Sequence, residues 1–318
     1  MEVKDANPLI TIAITCFNAE ATIERAVSSA LSQTWKHREI IIVDDYSTDM
    51  SWSILNQLAE KFPELIIIRN QVNKGAAFSR NRLVDHANGD YIAFFDDDDL
   101  SDPERIFYQY QAIQAYKEKS NTNKIACFVS GVRRYTNGYE YSIEAIGSRE
   151  KVPYGEAVAN YLLFNSRNRN FFYGSGTPTC CLMIGVEFCR ELSGFDESLR
   201  RVEDVDFAIR FALFGGHFIG CPQNLLIQYA TNSDDKTPQK NLNSELSLID
   251  KHKIYLQKHH RYKYAKRWFK IRYYHFTHQR VIFILSLFWF LICFPISGSL
   301  HLLRSGPMRI IHERRMRS

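Results

Sequence analysis

Four short runs of apolar, mostly β-branched residues recur through the first hundred positions: residues 9–15 (LITIAIT), 39–43 (EIIIV), 65–68 (LIII) and 91–95 (YIAFF). Each is of strand length and too continuously apolar to keep one face in water, so each is expected to be a strand covered on both sides. Between them the apolar spacing becomes helical. Ile23, Ala26, Val27, Ala30 and Leu31 form one stripe, Ile54, Leu55 and Leu58 a second, and Phe78, Leu83, Val84 and Ala87 a third. Gly89 is placed to close the third helix as a left-handed cap, and Ser101, with Glu104 three residues on, to cap a fourth. This alternation of strand and helix predicts an α/β fold built on a doubly wound, mostly parallel sheet, whose ligands lie beyond the carboxyl ends of the strands.

No GxGxxG or GxxxxGK[ST] follows any of these runs, so neither dinucleotide binding nor P-loop phosphate transfer is supported. The strand ends carry acid instead. The second run is followed by Asp44-Asp45 and the fourth by Asp96-Asp97-Asp98-Asp99. Four like charges directly after a buried strand repel one another unless a cation neutralises them, and oxygen-only ligands suit a hard ion, Mg²⁺ or Mn²⁺. A second acidic pair, Glu203-Asp204, opens a helical segment with apolar Val205, Ala208, Ile209, Ala212 and Leu213, closed by Gly215-Gly216. Acids there also complement the helix macrodipole.

The formal net charge of +5 conceals a division along the chain. Residues 1–250 carry 25 Lys and Arg against 34 Asp and Glu, whereas residues 251–318 carry 15 against 1. With 45% hydrophobic and 24% charged residues the body is globular. Its 7 cysteines form no CxxC pair and are odd in number, which indicates neither a disulfide framework nor a zinc site and suits a reducing cytosol. The stretch MEVKDANPLITIAITCF has no basic region ahead of a long apolar one, which argues against a secretory signal. In the tail, residues 251–280 interleave ten Lys or Arg and five His with aromatic residues and contain no acid. The apolar run 281–294 (VIFILSLFWFLICF) spans ~21 Å as a helix, against ~30 Å of hydrocarbon core. It is expected to lie on an anionic membrane surface, where each cation contributes ~1 kcal/mol, with a spanning helix extended to Leu303 or a buried core helix as alternatives.

Five blocks, in order, carry a resemblance: PLITIAITCFN (8–18), IIIVDDYSTD (40–49), NKGAAFSRN (73–81), GDYIAFFDDDDL (89–100) and GFDESLRRVEDVDFAIRF (194–211). Over roughly residues 8–230 the chain resembles the family 2 glycosyltransferases, with their nucleotide-sugar-binding GT-A fold. The resemblance implies a catalytic domain over 1–240, with a nucleotide-sugar half (8–120) and an acceptor half (121–240), followed by a helical tail over 241–318. It places Thr15 and Phe17 beside the nucleobase, with the Phe17 ring stacked on it. Asp44 accepts hydrogen bonds from the base or ribose, supported by Asp45, and Arg80 lies near the diphosphate. Asp96 holds the ribose or the metal-bound diphosphate, and Asp97 takes a position the family usually gives to a small residue. Asp98 ligates the metal directly together with Asp96. The family's later metal-binding His is missing from YATNSDDK (229–236), which leaves Asn232, Asp234, phosphate or water to complete the shell.

In the matching acidic motif Asp204 is the general base, with Glu203 beside it. A single base opposite the leaving group implies one displacement and inversion, giving a β product from an α-linked donor. Residues 171–184 (FFYGSGTPTCCLMI) resemble the acceptor-side wall, and Arg267-Trp268 lacks the Gln of the QxxRW motif of polymer-forming members. The implied activity is transfer of one hexose or N-acetylhexosamine from a nucleotide-diphosphate sugar, expected to be UDP-linked, to a lipid-linked or membrane-embedded saccharide. The implied setting is O-antigen, lipopolysaccharide or capsule synthesis at the cytoplasmic face of the bacterial inner membrane, with peripheral or monotopic attachment and no nucleic-acid partner. The residues alone leave two other classes open: a nucleotidyltransferase on a similar core, and a nucleic-acid-binding protein using the basic aromatic tail.

Overall fold

A computed structural model describes the backbone of residues 7–230 and 237–317. Asn232 and Asp234, candidates for a third metal ligand, lie outside the described residues. The chain divides into two compact units, the first comprising residues up to 134, 140–159 and 167–229, the second 135–139, 160–166 and 230–318.

The first unit begins as the apolar periodicity predicts: β1 (Ile10–Cys16), α1 (Ile23–Leu31), β2 (Arg38–Asp44), α2 (Ser51–Lys61), β3 (Leu65–Arg69), α3 (Ala76–His86) and β4 (Tyr91–Asp96). It continues with β5 (Leu100–Ser101), α4 (Arg105–Ser120), β6 (Ile125–Arg134), β7 (Glu140–Ile143), α5 (Glu156–Phe164, which runs on into the second unit), β8 (Leu182–Gly185), α6 (Val186–Glu191), α7 (Glu203–Leu213) and β9 (His217–Tyr229). The sheet order is β3-β2-β1-β4-β8-β6-β9-β5, with β7 paired to β6. β3, β2, β1 and β4 run parallel, β8 is antiparallel to both its neighbours, and β9 is parallel to β6. The register aligns Thr15 with Val43 and Asp96, and Cys16 with Asp44, so the acids after β2 and β4 share one edge of the sheet with the end of β1. Ile12, Ala13, Ile14, Ile41 and Ile42 are fully buried beneath that edge.

Three local expectations are corrected. Gly89 does not adopt a left-handed conformation; a side chain there would meet Thr11 Oγ1 at 2.7 Å and its backbone nitrogen at 2.8 Å, so the position needs glycine for close approach. The fourth helix starts at Arg105, past Ser101, which ends β5 and accepts a hydrogen bond from Arg105 Nη1 at 2.9 Å. In α7 the buried stripe is Phe207, Ala208, Ile209, Phe211 and Ala212, while Leu213 is exposed and Val205 half-buried. That rotation sets Asp204 in line with Phe207, Ala208 and Phe211, on the face turned to the sheet.

Register shifts at Val129–Gly131 bend β6 against β9. Gly131 allows it, since a Cβ there would lie 2.1 Å from the Leu226 carbonyl oxygen. The end of β9 is thereby carried to the acidic edge, where the Tyr229 amide donates to Asp99 Oδ1 at 3.2 Å.

The second unit contains α8 (Pro238–Lys251), α9 (Lys253–Lys258), α10 (Tyr262–Phe276), α11 (Arg280–Cys293) and α12 (Pro295–Arg317). Its core is Tyr264, Ile271 and Phe290, flanked by Phe164, Trp268, Phe283, Leu287 and Phe294. Among the described residues no helix is long and apolar enough to cross a membrane.

Candidate active site

The carboxylates after β2 are taken up by the protein itself. Asp44 has no exposed surface; its Oδ2 accepts from Arg69 Nε at 3.1 Å and from the Ser47 amide at 3.2 Å. Asp45, also buried, accepts from Asn70 Nδ2 at 2.7 Å and from the Lys74 and Gly75 amides at 3.0 and 2.7 Å. Asp44, expected to meet the nucleobase or ribose, thus lies beneath the turn it organises, and Asp45 fixes the loop that leads into α3. Exposed rings stand at this edge: Phe17, 41% exposed, and Tyr46, 45% exposed and left-handed at φ 63°. Tyr46 is a candidate that sequence reasoning passed over, since nothing in the run VDDYS marks which residue turns outward.

The carboxylates at the end of β4 are held differently. Asp97 Oδ2 accepts from the Phe17 amide at 2.9 Å, which ties the β4 turn to the end of β1 beside Thr15. Burial pushes Asp97 up to about 8 despite that bond, with the charges of Asp98 and Asp96 adding to the effect. Asp99 is buried and pushed up to about 9 by burial and then by Asp96 and Asp98; its Oδ2 is buried without a hydrogen-bond partner. Burial also raises Asp96, opposed by Arg80. Arg25 braces the same turn, its guanidinium donating to the Asp98 carbonyl and lying 4.1 Å from the centre of the Tyr229 ring.

Arg80, on α3, is buried between acids. Its Nη1 donates to Glu203 Oε1 at 2.5 Å, and its Nη2 lies 3.9 Å from Asp96 Oδ1. Burial works against its charge, but Glu203, Asp96 and Asp204 outweigh that and raise its pKa. The guanidinium expected near the diphosphate is therefore the bridge between the β4 acids and the α7 acids. Glu203 and Asp204 form the first turn of α7, entered through Val202 at φ 60°, a left-handed conformation that strains a β-branched residue. Asp204, half-buried, is pushed up to about 6 by burial and then by Glu203, against the pull of Arg80. It lines a small cavity with Thr177, Thr179, Phe207 and Phe211, into which the buried Thr177 Oγ1 brings a hydroxyl without a partner.

One ligand atom each from Asp96, Asp99 and Cys180 lies within 4.8 Å of the others, a grouping that does not include Asp98. The partnerless Asp99 oxygen and two facing carboxylates fit a hard divalent ion. The Cys180 thiol fits it poorly: its bond with Cys181 and its burial hold it protonated, and sulfur suits softer metals. Asp99 is missed because a run of four identical residues does not reveal which side chains converge, and Cys180 because it meets that run only through the fold.

Residues 11–184 match the profile of Glycosyl transferase family 2. The chain belongs to this family. It is 30% identical over 212 residues to a Bacillus subtilis protein named as the glycosyltransferase EpsE, covering 65% of this chain and 68% of that one. Over 114 residues it is 41% identical to the Escherichia coli UDP-Glc:alpha-D-GlcNAc-diphosphoundecaprenol beta-1,3-glucosyltransferase WfaP, a stretch that is 32% of this chain and 45% of WfaP. The fold is shared with Staphylococcus aureus TarS 1-349 in complex with UDP-GlcNAc, at a TM-score of 0.60 and 16% identity over 89% of this chain and 80% of that one. This family 2 chain is thus a glycosyltransferase, with a mixed, mostly parallel sheet and C-terminal helices.

Proposed function

We propose that this family 2 enzyme transfers a single hexose or N-acetylhexosamine, with inversion, from a UDP-sugar to a lipid-linked saccharide in the assembly of a bacterial surface polysaccharide. The observation that carries the reading is the division of labour between the two acids of α7. Glu203 is held by Arg80 at 2.5 Å, which leaves Asp204 as the carboxyl of the pair poised to accept a proton, at a pKa of about 6. Near neutral pH Asp204 is ionised, yet basic enough to take the proton of an acceptor hydroxyl as that oxygen attacks the anomeric carbon. Glu203 is bound to Arg80, and Asp206, the third acid of this turn, is fully buried and paired with Arg210 at 2.7 Å, so Asp204 alone of the three is placed to act, and a single displacement inverts the configuration.

On the donor side, Phe17 offers its exposed ring to the base, and the β4 turn below it faces the diphosphate. Asp96 and Asp99, with Asp98 at the rim, would hold Mn²⁺ or Mg²⁺, whose chemistry is to neutralise charge growing on the departing diphosphate. Support for a UDP-sugar comes from the complexes of TarS with UDP and UDP-GlcNAc, and for a polyprenyl-diphosphate acceptor from the reaction in the name of WfaP. On this reading the reaction takes place at the cytoplasmic face of the inner membrane.

The test is incubation of the purified full chain and Mn²⁺ with a panel of UDP-sugars and a GlcNAc-diphosphate-lipid, measuring released UDP and glycosylated lipid together. Matched appearance of both, with a β linkage, is expected. A nucleotide attached to the product, or an α linkage from an α donor, overturns the reading.

A further inference from the structure

α11 is apolar on two opposite faces. Phe283, Leu287 and Phe290, with Phe294 just past the helix end, turn inward, the Phe290 ring lying 4.9 Å from Tyr264 and 5.7 Å from Trp268 of α10. Val281, Ile284, Leu285, Phe288, Trp289 and Ile292 turn the other way and are 54–71% exposed. At 3.6 residues per turn these six fall on one side of the helix, and on α12 Ile296 and Leu303 remain exposed as well. An apolar stripe of this length on a water-soluble surface marks an interaction site.

Charge indicates what covers it. Lys263 and Lys270, seven residues apart on α10, are exposed, as are Arg280 at the start of α11 and Arg304 on α12. The neighbouring Lys266 and Arg272 are paired with Asp250 at 2.7 Å and Glu245 at 3.0 Å, whereas among the described residues no acid pairs with Lys263, Lys270, Arg280 or Arg304. A second copy of the chain would bring like charges together. A nucleic acid would satisfy the cations but leave Val281, Ile284, Leu285 and Ile292 in water. An anionic bilayer offers negative headgroups outside and hydrocarbon beneath, with an interfacial layer that favours Trp, and so matches cations, aliphatics and Trp289 at once. At ~21 Å, α11 is too short to cross ~30 Å of hydrocarbon, which leaves an orientation in the plane of the interface.

We propose that the outer face of α11, continued by Ile296 and Leu303, is an in-plane anchor that binds anionic lipid bilayers. It concerns how the enzyme itself is held and requires neither donor nor acceptor, so it stands or falls separately from the reaction proposed above.

The experiment is flotation of the full-length protein with phosphatidylcholine vesicles, with and without phosphatidylglycerol, comparing wild type with Phe288→Gln/Trp289→Gln and with Arg280→Glu. Wild type should float with the anionic vesicles and far less with the neutral ones. The double variant should partition at least about tenfold more weakly, and Arg280→Glu about threefold to tenfold more weakly, both with unchanged melting temperature and UDP binding. Both positions are exposed, and if the double variant melts early, Ile284→Gln/Ile292→Gln on the same face takes its place. Wild type that stays in the bottom fraction, or variants that float as wild type does, overturn the proposal. So does a lipid-free dimer that the double substitution dissociates, or an oligonucleotide affinity that the double substitution abolishes while flotation persists.

Discussion

Two strands of the same sheet end in acids, and the two sets of carboxylates serve different purposes. At β2 the carboxylates are consumed internally: Arg69 and Ser47 hold Asp44, and Asn70, Lys74 and Gly75 hold Asp45. At β4, and across Arg80 at the start of α7, burial and mutual repulsion push Asp97 to about 8, Asp99 to about 9 and Asp204 to about 6, and one Asp99 oxygen has no partner. A carboxylate whose oxygens are bonded within the chain builds a loop. One that is buried and under-bonded lowers stability, and is retained where something from outside, a cation or a proton, completes it. Substitutions that remove charge should therefore have opposite effects on stability in the two sets.

The largest effect is expected at Asp204. Asp204→Asn should lower turnover by ~10²- to 10⁴-fold with UDP binding retained. It should also melt higher than wild type above pH 6. Because the folded carboxyl titrates near 6, above the unfolded value of 3.8, the folded state gives up its proton less readily, and stability falls as pH rises through that window. Asn carries none of that loss. Calorimetric melting at pH 7.5 beside a turnover assay checks both; a variant that is inactive but melts lower breaks the contrast with β2. The counterpart is Asp45→Ala, which leaves the Lys74 and Gly75 amides unsatisfied and Asn70 Nδ2 with only its bond to Ser79, and should cost roughly 2–4 kcal/mol in denaturant unfolding. Equal stability of Asp45→Ala and wild type would show that the β2 acids are not structural.

A smaller effect separates the two acids of α7. In the wild type, kcat/KM should rise with pH through about 6 as Asp204 loses its proton, since the base must be ionised to act. Glu203→Gln removes one negative neighbour and releases Arg80 from its 2.5 Å partner, and both changes favour ionised Asp204. The acid limb should move to lower pH, measured as the midpoint of the kcat/KM profile. A limb that stays in place would mean another group sets it. Mn²⁺ added to the wild type should raise the melting temperature, and less so in Asp99→Asn, if the partnerless Asp99 oxygen is a ligand.

Much of this contrast was legible in the chain. Buried parallel strands reveal themselves as apolar runs, so β1 to β4 and the acids at their ends follow from local pattern alone. The rest depends on long-range pairing. β8 enters antiparallel beside β4, and the last residue of β9 bonds to Asp99 across 130 positions, neither of which leaves a periodic trace. The Arg80–Glu203 bond spans 123 residues and gives the cation a carboxylate partner that no local pattern marks. In α11 an all-round apolar run hides which face is buried, because periodicity distinguishes faces only when one of them is polar.

The smallest predicted effect lies under Asp204. Thr177 is buried, its Oγ1 has no partner, and the cavity it shares with Asp204 holds about 10 Å³, room for about one water. Val has the same shape without the hydroxyl. If that hydroxyl is unbonded, Thr177→Val should stabilise the protein by ~1 kcal/mol, since a desolvated polar group is replaced by a methyl in a cavity lined by Phe128, Phe207, Phe211 and Phe218. A loss of similar size would place a bonded water between Thr177 and Asp204. In that case the base is supported from beneath, and Asp204 belongs partly with the satisfied carboxylates of β2. Thr177→Ser, which keeps the hydroxyl and gives up a methyl, separates the outcomes: it should be the less stable variant in the first case and should restore most of the loss in the second.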